Sequence, residues 1–516
     1  MMLTNLTQRC CTVIRARKQC SHNRLIASQN VLQKLVLNIR SAAALLPRAQ
    51  LSTVVHSTSD SSKSSSTGSS SGATKVCIIG SGPAGFYTAI KLLKNDSSVY
   101  VDIYEKLAVP YGLVRYGVAP DHPEVKNCIS AFSAAANKER CNFYGNISVG
   151  SDITVPELRQ HYHAVVLASG AWGDRKLGIP GEADHVVSAR RLVGWYNGLP
   201  QDSGLQPPLY DAQHAVIIGQ GNVALDVARI LLTPVDKLRK LDIPEHVLEQ
   251  LSRSRVTRVT LVGRRAPQHA AFTIKELREM TKLEGVALTI NREDCHQLTK
   301  LIPNAGRARR RLLELLLSIG EQPVKAVTGR HCVMKFLRSP TAVTGTKDGR
   351  ATSITLALNR LEDDRAVATN DTEVLPCDLV LRSIGYVGTR FDSSLPYTEH
   401  NGTISNTNGR VTGMEGVYAT GWAGSGPIGV IASTMTDSFT CAQTLLADLA
   451  ASTQEPKQGS DAVLQLLRDR GVHVVSQAAA SRIMQVEEER GAAAGKLREK
   501  ITSHDAMLNV AAATDA

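Results

Sequence analysis

Two stretches decide the fold: Lys75-Val-Cys-Ile-Ile-Gly80-Ser-Gly82-Pro-Ala-Gly85 and Ala215-Val-Ile-Ile-Gly219-Gln-Gly221-Asn-Val-Ala224. Each is an apolar, partly β-branched run that ends in a glycine turn and continues as a helix. That is the opening of a βαβ unit. The first glycine permits the tight turn, and the second lets backbone approach a pyrophosphate. The third lets the helix sit close to the strand, with its N-terminus facing the phosphates. Ala224 takes the third position of the second unit, a replacement the motif tolerates.

The two units end differently. After the first, the run Val99–Tyr104 closes on Glu105, where a carboxylate accepts from ribose hydroxyls. After the second, the run Val256–Val262 closes on Gly263-Arg264-Arg265. Two guanidiniums suit a ribose 2′-phosphate, which an acid would repel. The chain is therefore expected to hold two different dinucleotides, the second being NADP(H) rather than NAD(H).

At 516 residues the chain can bury two sizeable cores. Aromatics make up only 4%, which argues against nucleic-acid binding by base stacking. No apolar run is long enough to span a bilayer. The net charge of +12 is unevenly spread. Residues 1–72 hold nine Lys and Arg against one acid, Asp60. Residues 215–330 hold 20 basic and 12 acidic side chains, while the rest of the body is mildly acidic. The lobe of the second unit is thus the one suited to an anionic partner. None of the ten cysteines forms C-x-x-C, so no dithiol centre, zinc ribbon, internal iron–sulfur cluster or other metal site is expected.

Residues 1–56 read as a mitochondrial transit peptide, being Arg-rich, free of acids, and amphipathic through Val31, Leu32, Leu35, Val36 and Ile39. Residues 57–72 are a serine-rich linker. Strands and helices then alternate, which predicts an α/β protein with parallel sheets. The boundaries expected are a first dinucleotide domain over 73–173, a second over 174–389, and a return to the first over 390–516. The Ala-rich, charged tail from 451 is expected to be only loosely ordered.

The chain resembles the mitochondrial adrenodoxin reductase family from about 75 to 440. The resemblance is carried by the glycine units, Pro110–Asn127, Gly263–Pro267 and Ala270–Met280. It resumes weakly at Leu497–Ile501 and Ala506–Leu508. It implies two Rossmann-like domains, with the FAD domain discontinuous and interrupted by the NADP domain. FAD would meet Ala84, Glu105, Leu113, Val149, Trp422, Gly429, Val430 and Ile431. NADP would meet Gln220, Gly221, Asn222 and Val223, with Arg264, Arg265 and Glu276 at its adenosine end and Gly429 beside the nicotinamide. His122 and Asp226 would lie near the flavin on an electron or proton route. Where the family carries a Lys-Arg pair and a Gly-Pro-Thr-Gly turn, this chain has Ala423-Gly424-Ser425 and Gly426-Pro-Ile428-Gly429. Flavin potential and partner docking are expected to differ accordingly.

The run Arg307-Ala-Arg309-Arg310-Arg311 opens a helix whose apolar stripe is Leu312, Leu313, Leu316 and Leu317. Arg307 and Arg311 fall on the opposite face. Family resemblance makes that face the dock for an acidic [2Fe–2S] ferredoxin. The expected activity is electron transfer from NADPH through FAD to such a ferredoxin, feeding P450 or iron–sulfur assembly pathways. The expected location is the mitochondrial matrix, with at most peripheral association with the inner membrane. Two alternatives stay open. One is an NADPH-dependent flavoprotein that reduces a small molecule or quinone directly. The other is a non-catalytic FAD/NADP-binding scaffold.

Overall fold

A computed structural model describes residues 73–322, 329–453 and 455–515. The predicted transit peptide and linker lie outside the described residues. The chain runs β1 (Thr74–Ile79), α1 (Pro83–Asn95), β2 (Val99–Tyr104), β3 (Cys141–Gly145) and β4 (Ala164–Leu167). It continues through β5 (Val186–Ser188), β6 (His214–Ile218), α2 (Asn222–Leu232), β7 (Arg258–Val262), α3 (Ile274–Thr281), β8 (Val286–Ile290), α4 (Arg307–Gly320) and β9 (Arg330–Lys335). Next come β10 (Arg338–Gly345), β11 (Ala351–Glu362), β12 (Arg365–Pro376) and β13 (Leu379–Arg382). The last part holds β14 (Asn406–Thr407), β15 (Arg410–Val411), β16 (Val417–Ala419), α5 (Ile431–Ala451), α6 (Ser460–Asp469), β17 (Val475–Ser476), α7 (Gln477–Ala493) and α8 (His504–Asp515).

One eight-stranded sheet has the order β14-β15-β16-β4-β1-β2-β3-β17. Its central strands β16, β4, β1, β2 and β3 are parallel. A second sheet, of six parallel strands, has the order β5-β13-β6-β7-β9-β8. The first sheet therefore takes strands from both ends of the described chain, and the second is built wholly from between them. This is the interrupted arrangement expected. A third sheet, antiparallel β10-β11-β12, leads off the end of β9.

The parallel strands are covered on both faces, which is why they read as continuous apolar runs. Val76, Ile78, Val101, Ile103, Val216 and Ile217 have no exposed surface. Cutting one of these side chains back to alanine costs on the order of 2–5 kcal/mol.

The tail is a correction. Far from being loosely ordered, it forms α6, β17, α7 and α8, with β17 closing the first sheet against β3. Alanine is a strong helix former, and Ala479 and Ala480 pack into the core beside Ile483. The charges that suggested solvation are satisfied internally. Glu487 is wholly buried, 2.5 Å from Arg115 and 3.2 Å from Arg498, and accepts the Ile501 N–H. Lys500 reaches Asp242 at 3.0 Å, and Asp242 also holds Lys126 at 2.8 Å. Residues 233–255, between α2 and β7, fold into two short helices that bury Leu238, Val247 and Leu248.

Candidate functional site

In each glycine turn the demands on the positions differ as the chemistry requires. Gly80 has φ +105°, and a Cβ there would lie 2.5 Å from the Ala168 carbonyl oxygen. A Cβ on Gly85 would lie 2.0 Å from the Gly80 carbonyl oxygen. Gly82, between them, faces open space. The second unit repeats the pattern: Gly219 has φ +128°, with a Cβ 2.0 Å from the Ser383 carbonyl, and Gly221 faces open space. Gly82 and Gly221 cap α1 and α2, and neither helix start has a side-chain cap. The first N–H groups of both helices are left to an anion. Both cradles fit a dinucleotide pyrophosphate.

Around the first cradle, Glu105 is buried and accepts from the Ser81 N–H at 2.8 Å, the Ser81 hydroxyl at 2.6 Å and the Leu107 N–H at 3.1 Å. These bonds fix its carboxylate beside the turn. The short helix Gly112–Tyr116, which bears Leu113, starts against the same turn, since the Tyr111 N–H donates to the Ser81 carbonyl at 3.0 Å. A Cβ on Gly112 would lie 3.3 Å from Gly82 Cα. Val149 lies in the loop after β3, which is tied to the Glu105 carbonyl through the Ile147 N–H. The late turn comes home at Ala84: a Cβ on Gly421 would lie 2.6 Å from the Ala84 Cβ. Beyond it, Trp422 packs on Tyr386 with ring centroids 5.4 Å apart, and Val430 stays half exposed ahead of Ile431 at the start of α5.

The second cradle opens on a cavity of about 740 Å³. Gln220, Gly221, Asn222, Val223, Arg264 and Arg265 line it, and so do Trp422 and Gly429 from the late turn. Residues assigned from sequence to different dinucleotides therefore share one wall. Glu276 is not part of this cavity's lining. It lies with His122 and Asp226, and the three place potential ligand atoms within 4.8 Å of one another.

The charge that compensates this cluster is Arg229, itself buried. It binds Asp121, and lies 2.8 Å from Asp226, 3.3 Å from Glu276 and 3.5 Å from Glu279. His122 Nε2 is 2.6 Å from Glu279. Burial is the main influence pushing the Asp226 and Glu276 carboxyls up. The Asp226 charge raises Glu276 further, while Asp121 raises Asp226 and a hydrogen bond with Glu276 lowers it. Sequence reading missed Asp121, Arg229 and Glu279, because the contacts joining Asp121 to Arg229 and His122 to Glu279 span 108 and 157 residues.

The basic helix is more differentiated than a charge run suggests. Arg309 turns inward and donates to the Ala270 carbonyl at 2.8 Å and to the Gln268 carbonyl. Arg310 donates to Ile302 and Pro303 carbonyls. Arg307 and Arg311 are exposed, and Leu312, Leu313 and Leu316 are buried. Among the described residues, all seven cysteines are free, and no helix is long and apolar enough to cross a membrane.

Residues 74–322 match the family described as pyridine nucleotide-disulphide oxidoreductase. The chain is 50% identical over 451 residues to mitochondrial NADPH:adrenodoxin oxidoreductase of Homo sapiens, covering 84% of this chain and 91% of that protein. It is 44% identical over 448 residues to the mitochondrial protein of the same name in Drosophila melanogaster, covering 85% of this chain and 93% of that protein. The solved structure of Mycobacterium tuberculosis FprA in complex with NADPH is similar, with a TM-score of 0.81 and 36% identity. That match covers 85% of this chain and all of FprA. With a cradle for each of two dinucleotides, and relatives matched over nearly their whole length, this chain belongs to the NADPH:adrenodoxin oxidoreductase family.

Proposed function

We propose that this chain is a mitochondrial flavoenzyme that takes electrons from NADPH and passes them singly to a [2Fe–2S] ferredoxin of the adrenodoxin kind. The carrying observation is the shared cavity, where the Gln220–Val223 turn and Arg264 and Arg265 meet Trp422 and Gly429. Bound FAD supplies the conversion between a two-electron donor and a one-electron acceptor. The protein's residues bind, orient and shield.

In this reading 73–173 and 390–516 hold FAD, with Glu105 on a ribose and the Gly82 turn and the start of α1 on the pyrophosphate. Residues 174–389 hold NADP(H), with Arg264 and Arg265 on the 2′-phosphate. Asp226 stands one helical turn behind the cavity-lining Asn222. With Glu276, it forms a buried pair able to retain a proton to higher pH than exposed acids. His122 ties that pair to the first domain through Glu279. Arg307 and Arg311 present the docking face to the acidic carrier.

The test is NADPH oxidation by the FAD-loaded protein with a [2Fe–2S] ferredoxin or with a quinone as sole acceptor. Efficient reduction of the ferredoxin supports the proposal. Turnover with quinone and none with ferredoxin would favour direct small-molecule reduction, the reading kept open by the Ala423-Gly424-Ser425 replacement. FAD and NADP(H) binding with no turnover on any acceptor would leave the scaffold reading.

A further inference from the structure

The loop bearing Arg264 and Arg265 is held from behind by three consecutive carbonyls. The Gly263 oxygen accepts from the Arg338 N–H at 3.0 Å, and the Arg265 oxygen accepts from the Leu337 N–H at 3.2 Å. The Arg264 oxygen, between them, accepts from the Asn359 side-chain amide at 2.7 Å. Any residue could supply the two main-chain donors. The middle bond needs this side chain.

Several features of the third sheet converge on that contact. Asn359 is only 8% exposed. Its second amide hydrogen goes to the Ser339 hydroxyl at 2.8 Å, so both hydrogens are spent and the amide's orientation is fixed. Its own N–H donates to the Leu337 carbonyl at 2.8 Å. Leu337 has φ +54°, a strained value for a branched residue, and it is held on both sides by these bonds. The β11–β12 ladder slips between Ala357 and Asn359, and such a bulge re-aims a side chain. Ser339 and Arg338 line the same cavity as Arg264 and Arg265.

We propose that Asn359 is a positioning residue for 2′-phosphate recognition. It pins the Arg264 peptide so that both guanidiniums stay on the cavity side. The proposal rests on the assignment of Arg264 and Arg265 to the phosphate. Without the pin, the arginines remain but must be ordered when the ligand arrives, so affinity falls for phosphorylated ligands only.

The experiment is calorimetric titration of the FAD-loaded protein with NADP⁺, NAD⁺ and 2′,5′-ADP. Asn359→Leu keeps the branched outline and removes the donors. Asn359→Asp keeps the shape and sets an acceptor against the carbonyl. Both should weaken NADP⁺ and 2′,5′-ADP by roughly tenfold, the scale of one buried hydrogen bond. NAD⁺ affinity and FAD content should stay as in the parent. An Arg264→Gln/Arg265→Gln protein runs in parallel. If it keeps the parent's preference for NADP⁺, the phosphate assignment itself fails. If it loses that preference while both Asn359 variants retain it, only the positioning role fails. Equal weakening of NADP⁺ and NAD⁺, or loss of folding in both variants, would make Asn359 a structural residue and overturn the proposal.

Discussion

Reversing Arg307 and Arg311 to glutamate separates the carrier's route from the cofactor's. The two side chains stand four residues apart on one exposed face of α4, and neither has a hydrogen bond or ion pair among the described residues. Each exposed pair with a carrier carboxylate contributes about 0.2–1 kcal/mol. Reversal turns attraction into repulsion of similar size, so the double variant loses roughly 0.8–4 kcal/mol, or about 4-fold to several hundredfold in ferredoxin KM. The assay is NADPH-driven ferredoxin reduction over a salt series, beside reduction of an uncharged dye. Dye turnover should be unchanged. The defect should shrink toward nothing near 1 M salt, where the screening length is about 3 Å. Equal loss with dye and ferredoxin, or a defect indifferent to salt, would refute docking on this face. Arg309→Ala is the contrast: its guanidinium holds the 266–270 loop, so it should raise the NADPH KM and spare the ferredoxin KM.

Three further outcomes follow from the geometry. Gly82→Val should leave the urea midpoint of the apoprotein nearly unchanged, because its Cβ direction is open, while sharply weakening FAD binding; Gly80→Ala should lower the midpoint, since that Cβ strikes the Ala168 carbonyl. Glu487→Ala strands Arg115 in the interior, while Arg498 keeps Glu488, and should cost about 3–5 kcal/mol by urea unfolding. Burial lowers the His214 pKa from 6.5 to about 4, its ring lying between the Pro376 carbonyl and the Thr260 hydroxyl. The unfolded chain takes up that proton first, so stability should fall as pH drops from 6.5 toward 4, and His214→Asn should flatten that limb in unfolding midpoints across pH.

What was legible in the sequence was local. Strand, glycine turn and helix succeed one another within a few residues, so both cradles could be read with their strand ends at Glu105 and Arg264–Arg265. The exposure of Arg307 and Arg311 followed from helical periodicity alone. What escaped depends on contacts between distant positions. Glu487 finds Arg115 across 372 residues, and a tail of such residues looks like solvated charge until that partner is known. The ion pair of Glu276 with Arg229, which joins it to the His122 and Asp226 cluster, spans 47 residues. Asn359 carries no motif, and its contact with Arg264 spans 95 residues and depends on a bulge.

The central claim is that electrons enter as a pair at one cradle and leave singly to a protein partner. Anaerobic mixing of limiting NADPH with the FAD-loaded protein and excess oxidised [2Fe–2S] ferredoxin, followed at the cluster's absorbance, tests it directly. Two ferredoxins should be reduced for every NADPH consumed, with NADH far less effective. NADPH consumed with the cluster left oxidised would contradict it.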